Sequence, residues 1–353
     1  MGKTFQLLCA VSCLVTLPSC SDDSAAPAGA GGSSSGGSSQ SGSGQGGASG
    51  AAGKNGGGAG NPSVGGASAN GGSSRGGSPP VVPGKPGEVG GCQMFPAADH
   101  WNLDVSSVAV DAAWTQKVQD LVGDARIHPD YGVDGEELYG IPINVVPETQ
   151  PLAPVTFDWY PEESDEGPYP FPGPADVIIE GNSPESCDGD CHLLVLQQGT
   201  CLLFEGYACE YRGDGWHCGN GAKWDLNELG YGQRPEGWTS ADAAGLAIAP
   251  GLLRYDEVRG GEVTHALRFT LDCTTNKYVE PASHYAVPDG CDPNDGPPMG
   301  TRVRLRADYD VSGLSPSAQT VLNGMKKYGM ILADNGSNFY FQGEAAFRGG
   351  PAR

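Results

Sequence analysis

Basic residues are scarce in this 353-residue chain: 20 Lys and Arg stand against 42 Asp and Glu, a formal net charge of −22. So lopsided a balance repels phosphate backbones, which argues against nucleic acid as a partner and disfavours highly anionic polysaccharides. Long hydrophobic runs are missing too. The one sustained apolar stretch, Phe5 to Leu17, is shorter than the roughly 20 residues a bilayer-spanning helix needs. Histidine is rare, with 6 in the chain, and neither His-Glu-x-x-His nor any other dense ligand spacing occurs, so no metal is expected. Aromatic residues are absent from Ser24 to Gly91, where Gly, Ser and Ala make up nearly everything. Such a segment cannot bury enough apolar surface to offset its chain entropy, and it is expected to stay disordered.

What is present begins with Met1-Gly2-Lys3, a small positive start, and the short apolar stretch, together the layout of a secretory signal peptide. Leu17-Pro18-Ser19-Cys20 resembles the lipobox of bacterial lipoproteins, with Leu three before the Cys and a small residue directly before it; Pro18 is an uncommon occupant. The resemblance implies removal of residues 1–19, acylation of Cys20 and anchoring to a lipid bilayer of a bacterial envelope, at the outer membrane or cell surface. Several acyl chains, at about 0.8 kcal/mol per buried methylene, hold far better than one. Residues 20–91 are then the lipidated Cys and a Gly/Ser tether with an end-to-end distance on the order of 45 Å. Two matches to a hydrolase nucleophile elbow, Gly32 to Gly36 and Gly72 to Gly76, fall in this tether and not between a strand and a helix, so they carry no hydrolase reading.

Residues 92–353 are expected to form a single extracytoplasmic domain, acting as a monomer. They hold 39 of the acidic residues and 16 of the basic ones. Their eight cysteines, an even number in an exported chain, point to disulfides. Nearest neighbours suggest Cys209 with Cys218 and Cys273 with Cys291; the connectivity of Cys92, Cys187, Cys191 and Cys201 is left open. Short apolar or alternating runs bounded by Gly, Pro, Asn or Asp predict strands at Val155 to Trp159, Asp176 to Glu180, His192 to Gln197, Cys201 to Tyr207, Val263 to Leu271, Thr301 to Ala307, Met330 to Ala333 and Asn338 to Gln342. The fold class is therefore mainly β, a disulfide-braced sandwich or jelly roll with about two helices. One helix is predicted over Ala112 to Val122 with Asp111 as cap, the other over Pro316 to Tyr328 with Ser315 as cap and Gly329 as stop.

The candidate chemistry centres on His192 to Glu205. If Gln198-Gly199 is a two-residue turn, Leu196 faces Cys201, Leu194 faces Leu203, and His192 faces Glu205. An imidazole beside a carboxylate at the end of an apolar row is a candidate acid/base pair, with Asp190 further along the same face. The plainer alternative is an edge ion pair that only fixes register. Alternation puts His265 on an apolar face and Arg268 on the other; a Gly260-Gly261 hairpin would set Asp256 opposite His265, whereas a helix over Leu252 to Val258 would abolish that pairing. Trp224-Asp225 and the loop from Gly237 to Asp242, which contains Trp238, combine flat rings with short polar groups, as sugar clefts do; Trp in a secreted β domain is also commonly core. Arg302, Arg304 and Arg306 alternate onto one face, either pairing with local carboxylates or forming a strip for anionic groups. Asp292 to Gly296 resembles the opening of a calcium loop but lacks the closing Glu, so it reads as a turn.

Trp238 to Phe269 and Met299 to Gln342, with His265-Ala266-Leu267 and Tyr328-Gly329-Met330, resemble segments of a secreted bacterial family of unestablished function, which brings no site residues with it. The expectation from the residues is an envelope-anchored lipoprotein that processes glycans, hydrolysing them with paired carboxylates drawn from Glu205, Asp190, Asp225 and Asp256, with His192 or His265 tuning one of them and no cofactor. Trp224, Trp238, Arg268 and Arg304 are the expected ligand contacts. The alternative is a non-catalytic glycan-binding or adhesion module.

Overall fold

Four strands form one sheet, in the order Asn220–Asp225, Leu202–Tyr207, Leu193–Gln197, Ile143–Val146, in a computed structural model that describes residues 11–14, 87–134, 137–181 and 183–345. The lipobox at 17–20 and the tether as far as residue 86 lie outside the described residues. The first three strands are antiparallel neighbours, and Ile143–Val146 runs parallel to Leu193–Gln197. The central strands read as continuous apolar runs because both faces of the sheet are covered. Leu194, Leu196, Leu203, Ala222 and Trp224 enter the main core, while Leu193, Val195 and Phe204 join a smaller one with Tyr169, Phe171 and Trp216.

A second sheet orders its six strands as Val11–Leu14, Arg302–Leu305, Met330–Asn335, Leu267–Leu271, Tyr340–Gln342 and His128–Asp130. Leu267, Phe269, Val303, Met330 and Leu332 supply its share of the main core. Leu267–Leu271 runs parallel to Met330–Asn335 with a shift after Phe269: Phe269 stands beside Leu332, but Thr270 stands beside Asp334. Ala333 is thus an extra residue, and the bulge turns Asp334 onto the face that carries Arg268 and Thr270. Regular pairing would have set Asp334 beside Leu271, on the apolar side.

Three α-helices occur among the described residues, one more than expected. Helix α1, Ala112–Val122, is capped by Asp111, whose carboxylate accepts from the Ala113 and Trp114 amides, and it buries Val118. Helix α2, Tyr255–Gly260, ends on Gly261 at φ 85°, a left-handed conformation that suits glycine. Helix α3, Pro316–Lys327, starts at Ser315 and buries Val321, Leu322 and Met325.

The domain is mainly β and braced by four disulfides: Cys209–Cys218 and Cys273–Cys291 as expected, with Cys92–Cys201 and Cys187–Cys191 completing the set. The pairing reaches slightly before Cys92, with Glu88–Val89 beside Cys92–Gln93. Asp176 to Glu180, expected as a strand, is irregular. There the Asn144 side chain takes the place of a neighbouring strand, accepting from the Ile178 amide at 2.9 Å and donating to the Ile178 carbonyl at 2.7 Å.

Candidate functional site

The site grows from one row of side chains on the four-stranded sheet. Its hairpin register differs from the expected one: Leu202 pairs with Gln197, Leu203 with Leu196, and Glu205 with Leu194. The turn holds four residues, Gln198 to Cys201, because Cys201 sits at φ 55° and is tied by its disulfide to Cys92. A shift of two residues keeps every side chain on its expected face and changes every partner. Glu205 therefore does not meet His192. It is fully buried, accepting from the Trp224 indole at 3.1 Å and from the Ile248 and Ala249 amides, and burial raises its pKa. With its oxygens committed to three donors and closed to solvent, it braces the core.

The end of the row carries the chemistry. His192 is 3% exposed; Nδ1 donates to Glu180 Oε2 at 2.6 Å, and Nε2 donates to the Ala241 carbonyl at 3.2 Å. Burial opposes a charge on this ring, but Glu180 beside it pushes the pKa up to about 9. With an acceptor at each nitrogen, the ring is an imidazolium at neutral pH. Burial likewise opposes charge on Glu180, yet His192 holds its carboxyl below the ordinary value. Glu180 Oε1 has no hydrogen-bond partner among the described residues.

Arg268 lies 1% exposed beside this pair. Its guanidinium grips Asp242, with Nη2 at 2.7 Å from Oδ1 and Nε at 3.2 Å from Oδ2, and Nη2 reaches Asp334 Oδ2 at 3.4 Å. The bulge at Ala333 is what brings Asp334 here. Burial and the Asp242 carboxylate push Asp334 up to about 7, against the pull of Arg268 and His192. The Asp334 side chain is nonetheless 26% exposed and that of Glu180 is 21% exposed, so solvent reaches both. One carboxyl is held protonated close to neutrality and the other is held ionised, the separation that divides acid from base.

Tyr207 joins the two carboxyls to an aromatic rim. Its ring lies 5.6 Å from that of His192 and 5.6 Å, edge to face, from that of Trp159. Burial, then Asp190, Asp334, Tyr160 and Glu180, push its hydroxyl up to about 12. Trp159 is 58% exposed and Tyr160 is 46% exposed. Both are held in place: their backbone amides donate to the Gly219 carbonyl at 3.1 and 2.9 Å, and the indole packs so close to Gly219 that an added Cβ would lie 2.5 Å from the ring. A fixed, exposed indole is a platform for the apolar face of a ring ligand.

The other expected residues are dispersed. Trp224 is 2% exposed in the main core and offers no stacking face, a correction to its reading as a ligand contact. Trp238 is half-buried under the Arg234 guanidinium. Asp225 is tied up in a turn, accepting from Asn227, and Asp256 is exposed on helix α2. That helix removes the Gly260-Gly261 hairpin, and His265 pairs with Glu257 at 3.0 Å, both 1% exposed. Arg304 and Arg302 are nearly buried and donate to the Val108 and His100 carbonyls, while Arg306, at the end of the row, pairs with Asp308. Arg268 touches Asp242 and Asp334 and is closed to ligand. Of the expected catalytic residues, His192 stands in the cluster, Asp190 acts on His192 and Tyr207 from its exposed side, and Glu205 acts on His192 and Asp242 from the core.

Glu180, Asp334, Trp159 and Tyr160 escaped the sequence reading. Two of them left a signal, an acidic residue directly after an apolar run, in Val177-Ile178-Ile179-Glu180 and Met330-Ile331-Leu332-Ala333-Asp334. Among the described residues no group of three or more His, Cys, Asp or Glu side chains is arranged to hold a metal. No protein-family model, no curated protein and no solved structure matches this chain.

Proposed function

We propose that this chain is an exported, envelope-anchored lipoprotein whose domain hydrolyses glycosidic bonds at the Asp334 and Glu180 carboxyls. The observation that carries the reading is the pair itself: two solvent-reached carboxyls with pKa values driven apart, both acting on Tyr207, whose ring packs against an exposed indole held by the backbone. In this reading the sugar stacks on Trp159 and Tyr160. Asp334 gives its proton to the glycosidic oxygen as the bond to the anomeric carbon breaks, while Glu180 takes a proton from the water that attacks that carbon. His192 and Arg268 do not touch the sugar; they set the charge of the two carboxyls. Cleavage before Cys20 would also release Val11–Leu14 and leave the outer edge of Arg302–Leu305 open.

The test is a glycan panel assayed for new reducing ends with the wild type, Asp334→Asn, Glu180→Gln and Trp159→Ala. Each carboxyl variant should lose at least about 100-fold in kcat, the scale of general acid or base catalysis. Trp159→Ala should act mainly on KM. The wild-type profile should fall above about pH 7 as Asp334 loses its proton, and fall in acid as Glu180 gains one. Carboxyl variants as active as the wild type would defeat the hydrolase reading. The exposed Trp159 and Tyr160 support a second reading, a glycan-binding module, and binding that needs Trp159 without any cleavage would establish it instead.

A further inference from the structure

The charges around the aromatic rim are one-sided in a way that selects among sugars. Two cations stand at the cluster, and both are spent. His192 uses both ring nitrogens on Glu180 and Ala241, Arg268 is clamped by Asp242 and Asp334, and neither is more than 3% exposed. Arg212, whose partner Asp158 directly precedes Trp159, is bound to Asp158 at 2.8 Å and Glu210 at 3.0 Å. Facing solvent are carboxyls: Glu180, Asp334, the exposed Asp190, and the half-buried Asp130, which receives the Gln342 amide at 3.5 Å. An anionic sugar entering here meets repulsion that neither His192 nor Arg268, both already paired, offsets.

A second observation marks a place for a polar ligand atom. Asn220 stands directly opposite Tyr207 on the same sheet face, is 0% exposed, and has neither its amide oxygen nor its amide nitrogen hydrogen-bonded. Leaving such a group unpaired is costly, which points to a partner atom supplied from outside the chain. The Tyr207 hydroxyl also lacks a hydrogen-bond partner among the described residues. Donor, acceptor, phenol, carboxyls and two exposed rings together suit an ammonium flanked by hydroxyls, because a cation gains both from the carboxylates and from the ring faces.

We propose that the site takes glycans carrying free amino groups, of the de-N-acetylated glucosamine type, in preference to neutral, N-acetylated or anionic ones. This rests on the reading of the cluster as a glycan site. The experiment uses the full chain and three probes of equal length and linkage: oligomers of glucosamine, of N-acetylglucosamine and of glucose, each followed by calorimetric binding and by release of reducing ends.

The glucosamine oligomer should bind about tenfold tighter at low salt than the other two, the size expected for one ammonium among partly exposed carboxylates and rings. That advantage should shrink as salt rises. Asp190→Asn and Asp130→Asn should each reduce it, Asn220→Ala should weaken binding of the glucosamine oligomer, and Trp159→Ala should weaken all three probes. Equal or weaker binding of the glucosamine oligomer, with cleavage or Trp159-dependent binding of a neutral one, overturns the selectivity and leaves the glycan site standing. Binding of none of the three removes the site reading and the selectivity with it. Wild-type affinity in Asn220→Ala assigns its unpaired amide to buried water and overturns its part in recognition.

Discussion

At the scale of single residues, the decisive fact is that buried charges in this protein come in sets, so that changing one member changes the others. Asp242 raises Asp334 by repulsion and also occupies Arg268. Asp242→Asn removes the repulsion and frees the guanidinium for Asp334, so the Asp334 pKa should fall below about 7. The alkaline limb of the kcat/KM profile should then move to lower pH; a limb that stays in place would show that Asp334 does not govern it. The second set, Glu257 with Arg254 at 2.7 Å and His265 at 3.0 Å, is closed to solvent and is structural. Burial opposes charge on Glu257, but His265 and Arg254 bring it down to about 2. Its folded value lies below its unfolded one of 4.5, so the stability it contributes is present above about pH 4.5 and lost as pH falls towards 2. Glu257→Gln should cost about 3 to 5 kcal/mol at neutral pH by stranding the buried Arg254 guanidinium and taking the carboxylate partner from His265, and thermal unfolding should show the gap narrowing across that acid range. Such sets were half-legible in the chain. The sequence places His192 at the end of an apolar row and His265 on an apolar face, yet their partners, Glu180 and Glu257, come from segments whose conformation decides the pairing.

At the scale of elements, helices and disulfides were the most legible because their signals are local. Asp111 and Ser315 announce the starts of α1 and α3, and short spacings announce Cys209–Cys218 and Cys273–Cys291. Register was not legible. The two-residue shift of the hairpin after Gln197 follows from the disulfide between Cys201 and Cys92, a constraint 109 residues away in sequence. The bulge that aims Asp334 at Arg268 depends on how Met330–Asn335 lies against Leu267–Leu271. A loop that joins two site residues is open to test. The Glu180 amide donates to the His192 carbonyl at 3.3 Å, and Cys187–Cys191 closes the segment between them. Closing so short a loop contributes only about 2 kcal/mol by chain entropy. Replacing both cysteines with Ser should therefore lower the melting temperature modestly while loosening His192 against Glu180. The measurable sign is a His192 imidazole pKa, followed by NMR, that drops from about 9 towards its ordinary value; an unchanged value would show that the loop is held without the disulfide.

At the scale of the whole molecule, Cys92–Cys201 does what the short disulfides cannot. It closes a loop of more than 100 residues, for which loop entropy gives about 5 kcal/mol, and it ties the start of the described domain to the hairpin that carries the site. Cys92→Ser with Cys201→Ser should be much more destabilising than loss of Cys187–Cys191, and urea unfolding that ranks the two the other way would contradict the entropic account. The chain by itself determined what summed composition and local pattern can determine. Acidity, an even set of cysteines, short apolar runs and capped helices specify a disulfide-braced, mainly β domain, because each of these acts through nearest neighbours or through totals. Tertiary structure alone decided the site. Glu180, Asp334, Tyr207 and Trp159 lie on four separated segments, and they meet through a bulge, a shifted hairpin and the close approach of Trp159 to Gly219. Whether a carboxyl there is acid or base depends on burial and on charges that only the folded chain brings within reach.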